Sequence, residues 1–372
     1  MLRKWAFLKS RVNRNQVAGI QHLFHSQIQQ CQNMKRRVWA IALGLGLFIA
    51  GCTVSPDLTT ALPPSPSPSP LEIAPTPTES TVNTFALASP EQIPRIDPTR
   101  LARQLQAVVG ERYLEPDRDR IRQFLIKTLK AEGWIVETQA FSGGMNVLAG
   151  RPQDSAKKGD RILVAAHYDT VSGSPGADDN ASSIAAILEL AHLLANRSTK
   201  HPLEIAFFDG EEQGLKGSLA FVAKDPHLQQ LAAVINLEMV GYRCQSMGCQ
   251  QYPEGLPSVP QSKVGDFIAV VGDREHDFLL QAFQSSEQSG LPPVFTLPIP
   301  LRGLLTPDLL RSDHAPFWVS NIGAVMVTDS ANFRNPHYHQ PTDTLNTLDM
   351  DFLAGVTQLV VNATAALLES DF

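Results

Sequence analysis

The chain has 372 residues, enough for one large domain with extensions or for two to three average domains. Its formal net charge is −6, but residues 1–52 hold eight Lys or Arg and no Asp or Glu, so the remainder lies near −14. An acidic body of this kind argues against nucleic acid as a partner, because phosphate binding requires a basic face.

The basic amino-terminal region has the pattern of an export signal. The segment MKRRVWAIALGLGLFIAGC (34–52) places thirteen apolar residues after a basic start, too few to span a bilayer comfortably as a helix. Its ending, IAGC, resembles the bacterial lipoprotein box, in which the cysteine is lipidated. We therefore expect Cys52 to anchor an exported protein in the bacterial cell envelope, periplasmic or outer face. A plain membrane anchor and ordinary signal cleavage are the alternatives, and Met34 rather than Met1 is a candidate start.

Changes in composition predict three regions. Residues 1–52 form an extension with the signal segment. Residues 53–97 are rich in Pro, Ser and Thr, cannot bury a core and favour extended polyproline conformations, so we expect a flexible linker. From residue 98 to residue 372 the composition and the hydrophobic pattern are those of a single folded domain.

Within that domain, helical apolar spacing alternates with short β-rich runs. The helical patterns include PTRLARQLQAVV, ASSIAAILELAHLLAN and a closing MDFLAGVTQLVVNATAALLES. The β-rich runs are IVETQAF, MNVLAG, RILVAAHYD, LEIAFFD, AAVINLEMVG, DFIAVVG and GAVMVTD. This alternation predicts an α/β fold with a mixed, largely parallel central sheet and helices on both faces.

Residue types that bind metals follow four of these strands directly. Ligands of open α/β sheets gather at the carboxyl ends of the strands, so side chains at these positions are expected to converge. The residues concerned are, in chain order, His167 with Asp169, Asp209 with Glu211 and Glu212, Glu238, and Asp329 with the loop that ends in NPHYHQPTDT. Their distribution favours a metal site at this edge of the sheet.

The residue types also indicate what each position could do. His167 and Asp169 lie two apart on an extended segment, so their side chains share a face and the carboxylate could fix the imidazole tautomer. A carboxylate in GADDNASS could cap the following helix or bridge two metal ions. Of the neighbouring Glu211 and Glu212, one could bind a metal while the other accepts a proton from water.

Two cysteines of the folded region, Cys244 and Cys249, form a C-x4-C pair. In an oxidising export compartment this pair predicts a small disulfide-closed loop. A metal pair and two free thiols are the alternatives.

The ordered set HYDT, GADDNAS, DGEEQGLKGS, NLEMVG, RSDHAPFW and YHQPTDT resembles the co-catalytic zinc aminopeptidase family, the M28 type. The resemblance covers the chain from about residue 100 onward. It implies a bacterial-aminopeptidase-like α/β fold, two zinc ions per chain and a peptide substrate. The zinc ligands that it implies are, in chain order, His167, Asp179, Glu212, Glu238 and His339.

The same resemblance assigns the remaining roles. Asp179 would bridge the two zinc ions, and Asp169 would orient His167. Glu211 would be the general base that takes a proton from a water shared by the two metals, after which the N-terminal peptide bond is hydrolysed. Tyr338 lies where some members use a tyrosine to steady the oxyanion, and Arg311 is a candidate substrate contact. Glu238 stands where many members have Asp.

Three other interpretations remain open at this stage. A glutaminyl cyclase of the same fold would use one zinc, another hydrolase of the fold would act as a carboxypeptidase or amidohydrolase, and a non-enzymatic envelope lipoprotein would use the fold for binding. The complete ligand set and the GLKGS segment favour the two-metal peptidase. The side-chain preference of such an enzyme does not follow from the sequence.

Overall fold

The computed structural model describes residues 93–371, except 158, 225–227, 255 and 257–261. The predicted signal segment, Cys52 and all but the last few residues of the predicted linker lie outside this range. The three-region division and the lipid anchor therefore stay predictions.

Within the described residues, strands and helices alternate along the chain. The strands are β1 Ile135–Phe141, β2 Gly144–Gly150, β3 Arg161–His167, β4 Leu203–Phe208, β5 Leu231–Glu238, β6 Ile268–Asp273, β7 Val294–Ile299 and β8 Ala324–Thr328. The α-helices are α1 Pro98–Val108, α2 Glu115–Ala131, α3 Ser183–Leu194, α4 Lys216–Lys224, α5 Asp277–Ser285, α6 Ala315–Val319 and α7 Met350–Glu369. A turn, Ala177–Ser182, leads into α3, and its backbone is not helical at Asp179 and Asn180.

The eight strands form one sheet in the order β1-β2-β4-β3-β5-β8-β6-β7. Its centre, β4-β3-β5-β8, is parallel throughout. The β1–β2 and β2–β4 pairs are antiparallel, and β6 runs antiparallel to β8 but parallel to β7. The fold is therefore α/β with a mixed, largely parallel central sheet, as the sequence predicts.

Apolar side chains cover both faces of the sheet. Alternate residues of the central strands point to opposite sides, so Val164 belongs to one buried cluster and Leu163 to the other. Helices α1, α2, α3, α5 and α7 pack in the first cluster, and α4 and α6 in the second. This double cover explains why the central strands read as nearly continuous apolar runs.

Helix α7 is, among the described residues, the element long and apolar enough to cross a membrane. Its apolar stretch is 89% buried within the protein, so α7 is a core helix. It begins where the Asp349 side chain accepts a hydrogen bond from the amide of Phe352, an N-cap that satisfies a free amide of the first turn.

Three of these elements escaped prediction, namely β7, α5 and α6. Strand β7 contains Pro298 and follows Pro292 and Pro293, which by composition indicate a loop. It lies at the edge of the sheet, where a strand tolerates a proline because one side needs no ladder partner. Strand β7 contributes two residues to the pocket described below.

Candidate metal centre

The central parallel strands end side by side, and the predicted site residues follow them. His167 is the last residue of β3, Glu238 is the last residue of β5, and Glu211 and Glu212 follow β4. Asp179 lies in the turn Ala177–Ser182 before α3. His339 comes from the loop after β8, so five separate segments supply one site.

One group of ligand atoms consists of His167, Glu211 and Glu238, all buried, whose ligand atoms lie within 4.8 Å of one another. The His167 Nε2 atom is 3.5 Å from Glu238 Oε1. A second group, Asp179, Glu212 and His339, meets the same distance limit. There His339 Nε2 lies 3.1 Å from Glu212 Oε2.

Asp179 joins the two groups through its two carboxylate oxygens. Its Oδ1 atom lies 3.3 Å from His167 Nε2, and its Oδ2 atom lies 3.2 Å from His339 Nε2. One oxygen thus faces each group. A carboxylate with this orientation can bridge two metal ions, which is the role that the sequence motif implies.

The donor set fits divalent metal ions. Four buried atoms of the cluster have no hydrogen-bond partner among the described residues, namely His167 Nε2, Asp179 Oδ1, Glu212 Oε1 and His339 Nε2. Buried polar atoms without partners cost free energy, and metal coordination is a standard way to satisfy them. Imidazole and carboxylate are also the ligand types that zinc prefers besides thiolate.

Hydrogen bonds fix the orientation of the first imidazole. His167 Nδ1 lies 3.2 Å from the backbone carbonyl oxygen of Asp169, so Nδ1–H donates and Nε2 keeps its lone pair toward the cluster. The nearer carboxylate oxygen of Asp169 is 3.5 Å from Nδ1, too far for a good hydrogen bond. The Asp169 carboxylate instead accepts hydrogen bonds from the backbone amides of Glu211 at 3.1 Å and Glu212 at 3.3 Å. Asp169 therefore orients the two glutamates directly, and its carbonyl rather than its carboxylate orients His167.

The electrostatics of the cluster are those of crowded buried carboxylates. Burial, followed by the charge of Asp179, raises the pKa of Glu212 to about 7. Burial also raises the pKa of Glu211 well above its usual value, and the carboxylates of Glu238 and Glu212 add to the shift. Burial disfavours the charged form of His339, yet the adjacent carboxylates of Asp179 and Glu212 raise its pKa to about 9. Bound cations would relieve this concentration of negative charge.

Buried polar groups hold the turn that carries Asp179, and the adjacent Glu238, from several sides. Asn180 donates to the carbonyl of Leu237 at 3.0 Å and accepts from the amide of Met239 at 3.0 Å, which ties the turn to both sides of Glu238. Ser312 donates to Glu238 Oε2 at 2.6 Å. These contacts fix the side chain that completes the first group.

Two residues that the sequence did not single out support the same turn. Arg112 is fully buried, and its guanidinium donates to the backbone carbonyl oxygens of Gly176, just before the turn, and of Asp179 within it. Burial lowers its pKa to about 10, although the charge of Asp179 opposes the shift. Asp343, also fully buried, accepts from backbone amides of the turn. Asp343 belongs to the motif YHQPTDT, whereas nothing in the pattern around Arg112 marks it.

Other candidate residues lie outside both groups. Asp178 accepts from the amide of Gly241 at 2.9 Å and from Asn335 Nδ2 at 2.7 Å, so neighbouring polar groups occupy its carboxylate. Asp329 binds the amides of Tyr242 and Ala331. His337, the extra histidine near the end of the motif, pairs with a threonine hydroxyl.

The pair Cys244 and Cys249 forms a disulfide, with an S–S distance of 2.09 Å. Tyr338 stacks on His339 with ring centroids 3.7 Å apart, and its hydroxyl accepts a hydrogen bond of 3.0 Å from Arg311. Both Tyr338 and Arg311 line a pocket beside the metal groups. They are therefore placed where a substrate would contact them.

Comparison with known proteins agrees with this geometry. Residues 146–364 match the family described as peptidase family M28. The match covers more than half of the chain, so the chain belongs to peptidase family M28 and is a metallopeptidase.

Individual relatives share the sequence of this chain, and a solved structure shares its fold. The uncharacterized protein YfbL of Escherichia coli K12 is 31% identical over 301 residues, which cover 74% of this chain and 87% of YfbL. LpqL of Mycobacterium tuberculosis, described as a probable lipoprotein aminopeptidase, is 30% identical over 247 residues, or 60% of this chain and 46% of LpqL. The chain thus matches less than half the length of LpqL. The crystal structure of the LapA aminopeptidase of Legionella pneumophila has the same fold, with a TM-score of 0.59, 18% identity, and coverage of 74% of this chain and 73% of LapA.

Proposed function

We propose that this chain is an aminopeptidase that holds two zinc ions and hydrolyses the N-terminal peptide bond of peptides. The observation that carries the proposal is the placement of Asp179, whose two oxygens face two separate groups of ligand atoms. Membership of the M28 family and the described activities of LpqL and LapA support the same conclusion.

The two ligand groups favour this proposal over a one-zinc glutaminyl cyclase on the same fold. A single metal needs three protein ligands and one open position, which one group would supply alone. Here Asp179, Glu212 and His339 form one group. His167, which belongs to the other group with Glu238, faces the second oxygen of Asp179. A second set of buried donors has no purpose in a one-metal site.

Glu211 has the properties that a general base requires. It lies in the buried cluster, and its backbone amide is held by Asp169. When bound, the zinc ions would lower the pKa of a water molecule and polarise the substrate carbonyl. Glu211 would accept the proton of that water and return it to the leaving amine. The carboxylates of the cluster would attract the free amino group of the substrate, which favours exopeptidase action.

Metal stoichiometry and substrate range test the proposal together. The purified protein should contain close to two zinc ions per chain and should hydrolyse aminoacyl p-nitroanilides in a reaction that a chelator stops. One zinc per chain, together with cyclisation of N-terminal glutamine, would establish the cyclase instead. If the protein contains two zinc ions but hydrolyses no aminoacyl substrate, the aminopeptidase is rejected, and a carboxypeptidase, an amidohydrolase or a binding protein is the remaining interpretation.

The Glu211→Gln variant tests the general base. Because Gln cannot accept the proton, kcat should fall by roughly 10²–10⁴-fold. The zinc content should stay unchanged. Glu137→Gln, an exposed position on β1, is the matched control and should retain full activity. A Glu211→Gln enzyme with near-normal kcat would remove Glu211 from this role.

We also propose that the protein is exported and anchored in the bacterial envelope through a lipid on Cys52. The proposal rests on the signal pattern and lipoprotein box at residues 34–52. The description of LpqL as a probable lipoprotein supports it. Replacement of Cys52 by Ser should move the full-length protein from the membrane fraction to the soluble fraction of a bacterial host. If both forms stay in the same fraction, Cys52 carries no anchor.

A further inference from the structure

A pocket opens beside the two ligand groups. The ligand residues line one end, and the floor is the face of the sheet formed by β8, β6 and β7. Six floor residues come from these strands in pairs, namely Met326 and Thr328, Ala269 and Val271, and Phe295 and Leu297. Apart from the Thr328 hydroxyl, this floor is apolar.

The pairing of the strands shows how the floor residues are ordered with increasing distance from the ligand groups. Glu238 of the first ligand group pairs with Thr328, Thr328 pairs with Ala269, and Ala269 pairs with Phe295. Residues paired across neighbouring strands point to the same face of a sheet, so these four side chains form one row. Adjacent strands lie about 4.8 Å apart, which places Ala269 about 10 Å and Phe295 about 14 Å from Glu238 along the row.

Ala269 is the small residue of this row. Its methyl group lies between the bulkier Thr328 and Phe295, so it leaves open the space that leads from the metal end to the aromatic ring. A side chain that enters from the metal end would pass over Thr328 and Ala269 and reach Phe295. A larger residue at position 269 would close the pocket halfway.

The floor also selects by polarity. Among the described residues, the charged side chains that line the pocket are the carboxylates of the ligand groups, His339, and the pair of Asp308 and Arg311, whose charged atoms are 3.8 Å apart. None of the six floor residues carries a charge. A lysine or glutamate side chain on this floor would therefore lose its hydration without gaining a partner.

We infer that the pocket takes the side chain of the residue whose carbonyl is cleaved, that this side chain is large and apolar, and that Ala269 determines its maximum length. The inference rests on the proposed aminopeptidase function. It assigns Leu, Met and Phe as preferred N-terminal residues and predicts poor cleavage after Ala, Lys and Glu.

Kinetics with aminoacyl p-nitroanilides test the inference, since only the residue that supplies the carbonyl varies in this series. The wild type should show kcat/KM values at least ~10-fold higher for Leu, Met and Phe than for Ala, because a few methylenes in an apolar pocket are worth about this much. Ala269→Leu should lower kcat/KM for Phe and Leu by at least ~10-fold and change the value for Ala by less than about threefold.

Two further variants separate pocket shape from folding. Ala269→Gly removes the methyl group and should raise kcat/KM for Phe relative to Leu. Ala140→Leu, at an exposed position on β1, is the matched control and should leave every ratio unchanged. Equal rates for Ala, Lys and Leu in the wild type would overturn the inference, as would equal loss with every substrate in both Ala269 variants.

Binding of free amino acids distinguishes failure of this inference from failure of the proposed function. Calorimetry on the zinc-loaded protein should give at least ~10-fold tighter binding for L-phenylalanine than for L-alanine, and Ala269→Leu should remove the difference. Tighter binding of L-phenylalanine without hydrolysis of any anilide would reject the aminopeptidase and keep the apolar pocket. Equal binding of the two amino acids would reject the pocket assignment.

Discussion

The side chain of Asp343 accepts a hydrogen bond of 3.1 Å from the backbone amide of Asp179. It also accepts one of 2.9 Å from the amide of Asp178, so both carboxylate oxygens hold the turn that carries Asp179. The two segments lie 164 positions apart in the chain. The His339 loop, which ends near Asp343, is thereby fastened to the Asp179 turn, and two members of the second ligand group are positioned together.

Replacement of Asp343 by Asn should therefore weaken metal binding without unfolding the protein. The amide group of Asn would place N–H donors against one of the two backbone amides. Loss of a hydrogen-bonded group that orients a ligand typically costs roughly 10–100-fold in metal affinity. Competition with a chromogenic chelator measures this affinity, and circular dichroism verifies the fold. Asp351→Asn, on an exposed turn of α7, is the control, and equal zinc affinity in all three proteins would contradict the prediction.

The sequence allowed the residues that gather at one edge of the sheet to be located, because the central strands are buried on both faces. Such strands read as unbroken apolar runs, so each strand end and the ligand after it can be placed. It failed for β7, because Pro298 favours a loop unless the strand is known to lie at an edge. It also failed for Arg112, since carbonyl oxygens from distant segments leave no pattern near an arginine.

The role of Asp169 shows a finer limit. Its spacing from His167 permits a contact between carboxylate and imidazole, and this contact was the expected one. In the structure the turn after β4 brings the amides of Glu211 and Glu212 to the carboxylate first. The path of that turn depends on packing that sequence spacing does not encode.

Arg112 is expected to be essential for stability. Its guanidinium lies within hydrogen-bond distance of the backbone carbonyl oxygens of Val108, Gly110, Tyr168, Pro175, Gly176 and Asp179. Lysine keeps the charge but offers three donors, so Arg112→Lys would leave several buried carbonyls without partners. We expect a loss of roughly 2–4 kcal/mol in the free energy of unfolding. Urea titration measures it, and the exposed Arg120→Lys control should change stability by less than about 0.5 kcal/mol. Similar values for the two variants would show that the carbonyl contacts contribute little.

Removal of the metals should lower the melting temperature of the wild type. Without cations, Asp179, Glu212 and Glu238 stay buried close to one another with unsatisfied ligand atoms nearby. A ligand present at 1,000 times its dissociation constant stabilises the native state by about 4 kcal/mol. Thermal unfolding with added zinc and with chelator measures the difference. Glu212→Gln removes one ligand charge and should reduce this difference in melting temperature. Identical melting curves of the wild type with zinc and with chelator would contradict metal binding at this site.

His314 should make the stability of the protein depend on pH. Its ring is fully buried edge-to-face against Trp318, its Nε2–H donates to the carbonyl of Leu309 at 2.8 Å, and Nδ1 has no hydrogen-bond partner among the described residues. Burial lowers the pKa of His314 to about 4, from an ordinary value of 6.5. Protonation would place an unpaired charge in an apolar cluster, so the native state keeps the ring neutral.

The sign of the effect follows from the lowered pKa. Below pH 6.5 the unfolded chain binds a proton at this histidine, whereas the native protein does so only near pH 4. The stability that the neutral ring provides is therefore complete above pH 6.5 and is lost as the pH falls, by about 3 kcal/mol at pH 4. Urea unfolding at pH 7.5 and at pH 4 measures the loss of unfolding free energy on acidification. This loss should be larger in the wild type than in His314→Gln by about 3 kcal/mol, because Gln does not titrate. His192→Gln, at a partly exposed histidine beside Glu132, controls for the loss of a histidine as such. If His314→Gln loses as much stability on acidification as the wild type, the ring is protonated in the native state well above pH 4.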